Sequence, residues 1–375
     1  MQQKKKIAIL TYHNAVNYGA VLQAYALSTK LSSLDVACEI LDYRCPAVVD
    51  QYRIKRLKHC SSVRNFFAHN LTCMLHAGKK TQFETFQRRL PLTLPCAKER
   101  LAACSNDYAA VMTGSDQVFN PICNGGDPAY LLDFAGDACI KSSYAASMGS
   151  IRQFERYKIE TLSLLRRFQY LSLREQDAAE YLSHRLGRPC RTSLDPVFLL
   201  DGDHWSALAA ETTVSPYIFV YNLMDLGHMR DFVKKIRRKT GFLVIAANRT
   251  VMGDASYLPI ARLRSNASPE EFLGYIKGAE YVITDSFHGT SLAILMEKRF
   301  FTAVNRAENN TNARLFSLLE KTALTDRVIS EHTLDMLNTP IDFPATKKSL
   351  EPEYEASVQY LQAVCSAAEQ DVAAL

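Results

Sequence analysis

The chain has 375 residues, of which 47% are hydrophobic and 22% are charged. This composition is typical of a soluble globular protein and argues against a disordered chain or a coiled coil, and the length allows two domains of ordinary size. The net charge of +5 is modest for this length, so we expect no nucleic-acid partner, although an anionic substrate is compatible with it.

The ten cysteines are scattered, with no C-x-x-C pair among them. This spacing argues against a zinc ribbon or a thioredoxin-like site and predicts free thiols in a reducing cytoplasm. The apolar run at 7–10 is too short for a signal peptide, and no stretch approaches the length of a membrane span. We therefore expect a cytoplasmic protein.

The chain opens with the pattern of a βαβ unit. A buried strand is predicted at 7–11, and a polar loop then leads to a helix that starts at Gly19. A second strand at 36–41 follows about 30 residues after the first, which is the span of one such unit. The loop side chains His13, Asn14 and Asn17 precede a helix start, where an anion or a sugar hydroxyl could be held; a plain capped turn is the competing interpretation.

A basic segment at 52–89 interrupts this half. Between residues 53 and 89, nine Lys and Arg side chains face a single acid, Glu84, and apolar residues lie between the charges. Amphipathic helices with a solvated basic face would explain the pattern. The sharper hypothesis is peripheral contact with anionic lipid or with a lipid-linked diphosphate.

Four more strands are predicted in this half, at 109–113, 143–146, 170–173 and 191–194, each ending in small or polar residues. The carboxyl ends of parallel strands meet at one edge of a sheet, where ligands bind. Candidate substrate-binding residues at this edge are Gly114, Ser115, Asp116, Gln117 and Ser147.

The second half is predicted to be another α/β unit with strands at 217–221, 242–246, 281–284 and 300–304. Ser268, Pro269 and Glu271 carry the signature of a helix start with a capping box. We predict an N-terminal domain at 1–210 and a second Rossmann-like domain at 211–345. A helical segment at 346–375 is expected to pack back on the first domain.

The stretch at 281–290, Y-V-I-T-D-S-F-H-G-T, reads as a buried strand, a sharp polar turn and the start of an apolar helix. The turn places His288 where a ligand of a parallel sheet would lie, beside the free amides of a helix start. We predict a functional role for His288, with Asp285, Ser286, Gly289 and Thr290 binding substrate. The competing interpretation is a structural histidine beside a helix cap.

Six motifs occur in order: T-Y-H-N-A-V-N-Y-G-A-V-L-Q-A-Y-A-L at 11–27, T-G-S-D-Q-V-F-N-P at 113–121, Y-A-A-S-M-G at 144–149, S-L-R-E at 172–175, L-D-P at 194–196 and T-D-S-F-H-G-T at 284–290. Together they resemble the polysaccharide pyruvyl transferases. The resemblance implies two Rossmann-like domains that face a cleft, as in the GT-B glycosyltransferases. It also implies transfer of pyruvate from phosphoenolpyruvate to two hydroxyls of one sugar, giving a cyclic ketal and phosphate.

The same resemblance assigns roles to two residues. Arg174 matches the strand-end arginine of the family and would bind the carboxylate or phosphate, and His288 matches the motif histidine and would transfer a proton or bind the phosphate. Some members carry an arginine where this chain has Ser286, so a second cation must come from elsewhere. Arg314 and Arg249 are the candidates.

The expected partners are phosphoenolpyruvate as donor substrate and a sugar acceptor that is free, nucleotide-linked or lipid-linked, with no cofactor and no metal. A glycosyltransferase using a nucleotide sugar would share the fold and the cleft. A non-catalytic sugar-binding module on the same scaffold is another alternative, and a zinc hydrolase a weaker one because no H-E-x-x-H motif is present. The six motifs favour pyruvyl transfer, and the retained pair Arg174 and His288 argues against a decayed site.

Overall fold

The computed structural model describes residues 6–50, 77–157, 159–212, 216–224, 226–247, 257, 259–305 and 313–373. The strands of the first half are β1 (Lys6–Leu10), β2 (Cys38–Ile40), β3 (Tyr108–Thr113), β4 (Ile140–Ser143), β5 (Ser172–Leu173) and β6 (Arg191–Thr192). Its helices are α1 (Tyr18–Ser33), α2 (Pro46–Val49), α3 (Ala77–Gln87), α4 (Leu101–Ser105), α5 (Pro121–Asn124), α6 (Ile151–Phe154), α7 (Thr161–Arg166), α8 (Gln176–Leu186) and α9 (Gly202–Leu208).

The second half contains the strands β7 (Tyr217–Tyr221), β8 (Leu243–Ala246), β9 (Arg262–Leu263), β10 (Tyr281–Thr284) and β11 (Phe300–Thr302). Its helices are α10 (Gly227–Thr240), α11 (Pro269–Lys277), α12 (Phe287–Leu295) and α13 (Ala313–Lys321), and the chain closes with α14 (Phe343–Ala373).

Each half is built on a parallel sheet. The first has the strand order β2-β1-β3-β4, and the pair β5-β6 continues it through single bridges such as Ala146 to Leu173. The second has the order β11-β10-β7-β8-β9. Strands β7 and β10 are apolar and buried along their whole length, as expected where helices cover both faces of a parallel sheet. The predicted α/β architecture with two Rossmann-like halves is confirmed.

Some predicted boundaries are wrong. The strand expected at 143–146 is β4, which ends at Ser143, and residues 144–147 form the loop at the carboxyl edge of the sheet. Small and β-favouring residues do not distinguish a strand from the loop that follows it, and here Ala145 adopts a left-handed φ of 45°. The short strand β9 was not predicted, because two residues carry no period.

Helix starts are better specified by the sequence. The predicted capping box is confirmed: Ser268 Oγ accepts the Glu271 N–H at 3.1 Å, and Glu271 Oε2 accepts the Ser268 N–H at 2.8 Å. At α12 the cap is Ser286, whose hydroxyl accepts the Gly289 N–H. Asp285, the residue before this cap, instead accepts backbone N–H groups of the loop after β7.

The last helix packs on the first sheet, as predicted. Leu361 and Val364 of α14 are fully buried in one cluster with Ile7 and Ile9 of β1. Tyr360 Oη donates to the carbonyl of Ser143 at 2.7 Å, at the end of β4. The helix therefore covers one face of the first sheet.

The two halves are also joined directly across the cleft. Tyr18, the first residue of α1, stacks on Phe272 of α11 with ring centroids 4.1 Å apart and an interplanar angle of 6°. Its hydroxyl donates to the carbonyl of Ala267 at 2.8 Å. This contact fixes the N-terminus of α1 against the second half, next to the turn that carries His288.

Residues 52–76 of the basic segment lie outside the described residues. In its described part, Lys79 is 1% exposed, with Nζ 4.7 Å from the centroid of the Tyr18 ring. Lys80 lies 3.7 Å from Glu84, and Arg89 lies 3.1 Å from Glu270. Lys79 is therefore not part of a solvated basic face, and the membrane hypothesis depends on residues 53–76 more than on α3.

No helix among the described residues is both long and apolar enough to cross a membrane.

Candidate active site

The cleft between the two sheets collects the residues that follow the strands. Ser115 and Asp116 follow β3, and Arg174 and Glu175 follow β5. Asp195 follows β6, and His288 comes from the second half, where it lies in the first turn of α12 and not in the polar turn in which it was predicted. Because all these strands are parallel, their carboxyl ends face the same gap.

Asp195 is the centre of the charged cluster. Its Oδ2 atom lies 3.0 Å from Arg174 Nη1 and 3.3 Å from His288 Nε2, and it accepts a hydrogen bond from Ser115 Oγ at 3.2 Å. The other oxygen accepts the Val197 N–H at 3.1 Å. Burial by itself raises the pKa of the Asp195 carboxyl, but the charges of His288 and Arg174 outweigh burial and hold that pKa well below its usual value. Asp195 is thus a fixed anion that joins the two halves of the site.

Arg174 forms an ion pair with this anion, but its guanidinium donors have no well-oriented hydrogen-bond partner among the described residues. Its side chain is 3% exposed, and its Nη2 atom is 3.7 Å from Asp116 Oδ1, beyond hydrogen-bond distance. Among the described residues, no hydrogen-bond partner of acceptable geometry is found for its three guanidinium nitrogens. The guanidinium lies 5.2 Å from the ring centroid of Phe287. A buried guanidinium with free donors is suited to an oxygen-rich anion.

Arg314, at the start of α13, brings a second cation from the other half of the protein. Its guanidinium lies 6.0 Å from the centroid of the same Phe287 ring, and its Nε atom is 3.9 Å from Glu175 Oε1. Burial and the neighbouring charge of Arg174 lower the pKa of the Arg314 guanidinium. Two like charges held close to each other favour a ligand that carries negative charge between them. Arg249, the other candidate for the second cation, lies outside the described residues.

Glu175 lines the same space and is 6% exposed. Its Oε1 atom accepts a hydrogen bond from Ser147 Oγ at 2.5 Å, whereas Oε2 has no hydrogen-bond partner among the described residues. A cavity of about 370 Å³ opens here, and Arg174, Glu175, Asp195, Phe287 and Arg314 are among its lining residues. That volume is within the range of small-molecule sites.

His288 is held between the two halves. Its Nε2 atom faces Asp195, and its ring lies so close to Gly19 of α1 that a Cβ atom on that glycine would be 2.1 Å from His288 Nδ1. Asn17 caps α1 by accepting the Gly19 N–H at 3.0 Å. The imidazole of His288 therefore packs directly against the N-terminus of α1.

Two other residues that were predicted to bind substrate form hydrogen bonds with other protein groups instead. His13 is fully buried, with Nε2 2.9 Å from Asp42 Oδ1 and Nδ1 3.2 Å from the carbonyl of Thr11. Asp285 accepts the backbone N–H groups of Leu223 and Met224 at 2.6 and 2.9 Å, which ties the loop after β7 to the turn.

The remaining predicted residues are placed as follows. Ser147 donates to Glu175, and Gln117 Oε1 accepts from Asn120 at 2.7 Å. Thr290 shares a hydrogen bond of 2.8 Å with Thr302, Asn14 is half-buried beside Arg44, and Gly114 packs on Thr11. Asp116 has a left-handed φ of 74°, a conformation that Asp tolerates better than most residues, and its carboxylate faces Arg174. The structure thus brings together Ser115, Asp116, Ser147, Arg174, His288 and Arg314.

Asp195, Glu175 and Phe287 were not predicted as site residues from the sequence. Each one lies within three residues of the end of a predicted strand, and each stands within one of the six motifs. The missing signal was distance, because only the tertiary structure brings the ends of β5, β6 and β10 within a few ångströms of one another.

The described residues of this cleft do not form a set of metal ligands. Within the described ranges, no group of three or more His, Cys, Asp or Glu side chains is arranged to hold a metal ion. The acids of the cleft instead face guanidinium and imidazole groups.

Comparison with known structures identifies the fold. The chain is similar to a UDP-N-acetylglucosamine 2-epimerase from Rickettsia bellii, with 10% identity and a TM-score of 0.56 over 97% of this chain and 96% of that one. A putative UDP-N-acetylglucosamine 2-epimerase from Listeria monocytogenes gives 9% identity and a TM-score of 0.52 over 96% and 91%. At these identities the likeness shows the fold alone, which is GT-B-like, with two α/β halves facing a cleft.

Sequence comparison identifies the family. No functionally curated protein shows significant similarity to the chain. The model of the polysaccharide pyruvyl transferase family, however, matches residues 17–306, well over half of the chain. The match spans the whole cluster around Asp195 and the turn that carries His288. This chain belongs to the polysaccharide pyruvyl transferase family.

Proposed function

We propose that the protein transfers pyruvate from phosphoenolpyruvate to two hydroxyls of one sugar in a polysaccharide or its precursor. In the overall reaction, C2 of the enol gains two C–O bonds and loses its bond to the phosphate oxygen. Of the two hydroxyl protons released, the equivalent of one appears on C3, which becomes a methyl group, and the other on phosphate. The products are a cyclic pyruvate ketal and phosphate.

The observation that carries this proposal is the set of buried donors around Phe287. Arg174 Nε, Nη1 and Nη2, Arg314 Nε and His288 Nε2 all lack hydrogen-bond partners of acceptable geometry among the described residues. Leaving a buried donor unpaired costs about 1 to 3 kcal/mol, so the cluster favours a ligand rich in oxygen acceptors. Phosphoenolpyruvate has a carboxylate and a phosphate, one for each arginine.

The geometry also suits His288 for proton transfer. Its ring approaches from the second half, and its orientation is limited by Gly19 on one side and Asp195 on the other. Its Nε2 atom lies 3.3 Å from Asp195 Oδ2 but has no hydrogen-bond partner of acceptable geometry among the described residues, so Nε2 is the ring nitrogen that could donate a proton to a reacting carbon. We assign protonation of the enol carbon C3 to His288.

The acceptor is proposed to be a sugar that is free, nucleotide-linked or lipid-linked. A lipid-linked acceptor would be consistent with contact between the basic segment 53–89 and an anionic membrane surface. The charges of that segment support this contact, although Lys79 is buried in α3 and does not contribute.

The direct test is release of phosphate from phosphoenolpyruvate by the purified protein in the presence of a sugar acceptor. Methyl glycosides of galactose, glucose and mannose, together with N-acetylmannosamine, provide different hydroxyl pairs for this assay. Parallel reactions with nucleotide sugars test the glycosyltransferase alternative that the GT-B-like fold allows. Transfer of a sugar without any use of phosphoenolpyruvate would reject pyruvyl transfer.

A further inference from the structure

Glu175 is a buried carboxylate whose hydrogen-bonding capacity is only half used. Its Oε1 atom is fixed by Ser147 Oγ at 2.5 Å, and its Oε2 atom has no partner among the described residues. Arg314 Nε is 3.9 Å from Oε1, too far for a hydrogen bond. The free oxygen therefore requires a hydrogen-bond donor from outside the described protein groups.

The donor substrate does not meet this requirement. Phosphoenolpyruvate presents carboxylate and phosphate oxygens, which match the free donors of Arg174 and Arg314 and would repel the Glu175 carboxylate. A sugar hydroxyl carries the proton that Oε2 needs. The two kinds of unpaired group in one cavity, free N–H donors and a free carboxylate oxygen, thus point to two different ligands.

The cavity next to Glu175 has the lining expected for a sugar. It extends from Glu175 past Asp177 and Thr192 to Lys321 and Glu353, which form an ion pair of 2.8 Å at the edge of α14. These side chains supply both donors and acceptors. The cavity also includes Arg174, so a sugar bound there would lie beside the arginine proposed to bind phosphoenolpyruvate.

We propose that Glu175 binds the acceptor sugar through the reacting hydroxyls and serves as their general base. The inference rests on the proposed function. In the first step the acceptor O–H bond breaks, its proton passes to Glu175 Oε2, and the oxygen forms a bond to C2 of phosphoenolpyruvate. The electron pair of the C2=C3 bond takes a proton from His288 at C3.

The second step regenerates the base. The bond from C2 to the phosphate oxygen breaks, and protonated Glu175 gives its proton to the departing phosphate. The second hydroxyl then attacks C2 and loses its proton to Glu175, from which it passes to solvent while His288 is reprotonated. Ser147 keeps the carboxylate oriented through both steps, so it is a positioning residue.

The test compares Glu175→Gln with Glu180→Gln, a change of an exposed glutamate on α8, the helix that begins directly after Glu175. Phosphoenolpyruvate binding is measured by calorimetry, and phosphate release is measured with the glycoside panel across pH. We expect Glu175→Gln to bind phosphoenolpyruvate within about threefold of the parent and to lose at least about a hundredfold in turnover. The fall in turnover at low pH, which protonation of the general base would cause, should be absent in Glu175→Gln. Glu180→Gln should match the parent.

Ser147→Ala provides a second variant that keeps the carboxylate. It should lose about tenfold in turnover and keep the fall in turnover at low pH, because the base is still present but less well oriented. A purely structural Glu175 would show a lower thermal midpoint and weaker phosphoenolpyruvate binding in Glu175→Gln, with an unchanged pH profile in the activity that remains.

The two proposals fail in different ways. If the parent protein releases no phosphate from phosphoenolpyruvate with any acceptor, pyruvyl transfer is rejected and the role of Glu175 with it. If the parent is active and Glu175→Gln retains its turnover, only the role of Glu175 is rejected.

Discussion

The contact between Gly19 and His288 predicts that the substitution Gly19→Ala damages the site. A Cβ atom at this position would lie 2.1, 2.5 and 2.8 Å from His288 Nδ1, Cγ and Cε1. Ordinary contacts between heavy atoms are about 3.5 to 4.0 Å, so the imidazole would have to retreat by roughly 1.5 Å. Helix α1 cannot easily move away instead, because its first residue, Tyr18, is stacked on Phe272 and hydrogen-bonded to Ala267.

The magnitude follows from the same geometry. Overpacking of this kind costs about 1 to 3 kcal/mol of unfolding free energy. Retreat of the ring also changes the Nε2 to Asp195 contact of 3.3 Å. A displacement of about 1 Å in a catalytic group costs on the order of a hundredfold in rate, so Gly19→Ala should lose activity as severely as a direct change of the histidine.

A double-mutant cycle with His288→Ala isolates this contact. In that background the added methyl group enters the space left by the imidazole, and alanine in a helix is favoured over glycine by about 0.5 to 1 kcal/mol. Gly19→Ala should therefore destabilise the parent but be neutral or stabilising in His288→Ala, which gives a coupling energy of roughly 1 to 4 kcal/mol. Chemical denaturation of the four proteins measures it, and phosphate release from phosphoenolpyruvate measures the loss of activity.

Gly227→Ala is the matched control, because Gly227 begins α10 and has no neighbouring atom within 4 Å of the position of the new Cβ. That variant should be as stable and as active as the parent. A Gly19→Ala variant that is also indistinguishable from the parent would show that the contact with His288 does not constrain the site. The same conclusion would follow if Gly19→Ala lowered the unfolding free energy as much in the His288→Ala background as in the parent.

His288→Gln should reduce pyruvyl transfer at least about a hundredfold while leaving the thermal midpoint nearly unchanged, and an active variant in the phosphate-release assay would contradict the assigned role. Arg314→Lys and Arg174→Lys should each cost roughly 2 to 4 kcal/mol in transition-state binding, or about thirtyfold to a thousandfold in kcat/KM, with most of the loss in the dependence on phosphoenolpyruvate. If Arg314→Lys behaves like the parent while Arg249→Lys fails, the second cation is Arg249. Contact of segment 53–89 with membranes should appear as flotation with anionic vesicles that weakens steeply with salt, and equal recovery with neutral vesicles would leave a solvated basic face.

The sequence by itself determined the architecture and the turn around His288. Buried strands such as β7 and β10 are uninterrupted apolar runs, and the capping box at Ser268 is a local pattern of side chain and backbone, so both are encoded within a few residues. The positions at which strands end are less clear from the sequence. The isolated β-bridges of Ala146, for example, depend on residues of neighbouring strands that are distant in sequence. The family motifs, which are also local, selected Arg174 and His288 as candidate site residues.

Only the tertiary structure decided which polar residues share the site. His13, Asp285 and Arg174 all follow strands and look alike in sequence. His13 pairs with Asp42 and Asp285 holds a loop, whereas Arg174 pairs with Asp195 and has, among the described residues, no hydrogen-bond partner of acceptable geometry for its guanidinium nitrogens. The role of Gly19 was equally hidden, since its lack of a side chain matters only because a histidine 269 residues further along the chain rests against it. Hydrogen-bond partners and steric gaps between distant segments are set by packing of the two halves, and no local pattern of residues reports them.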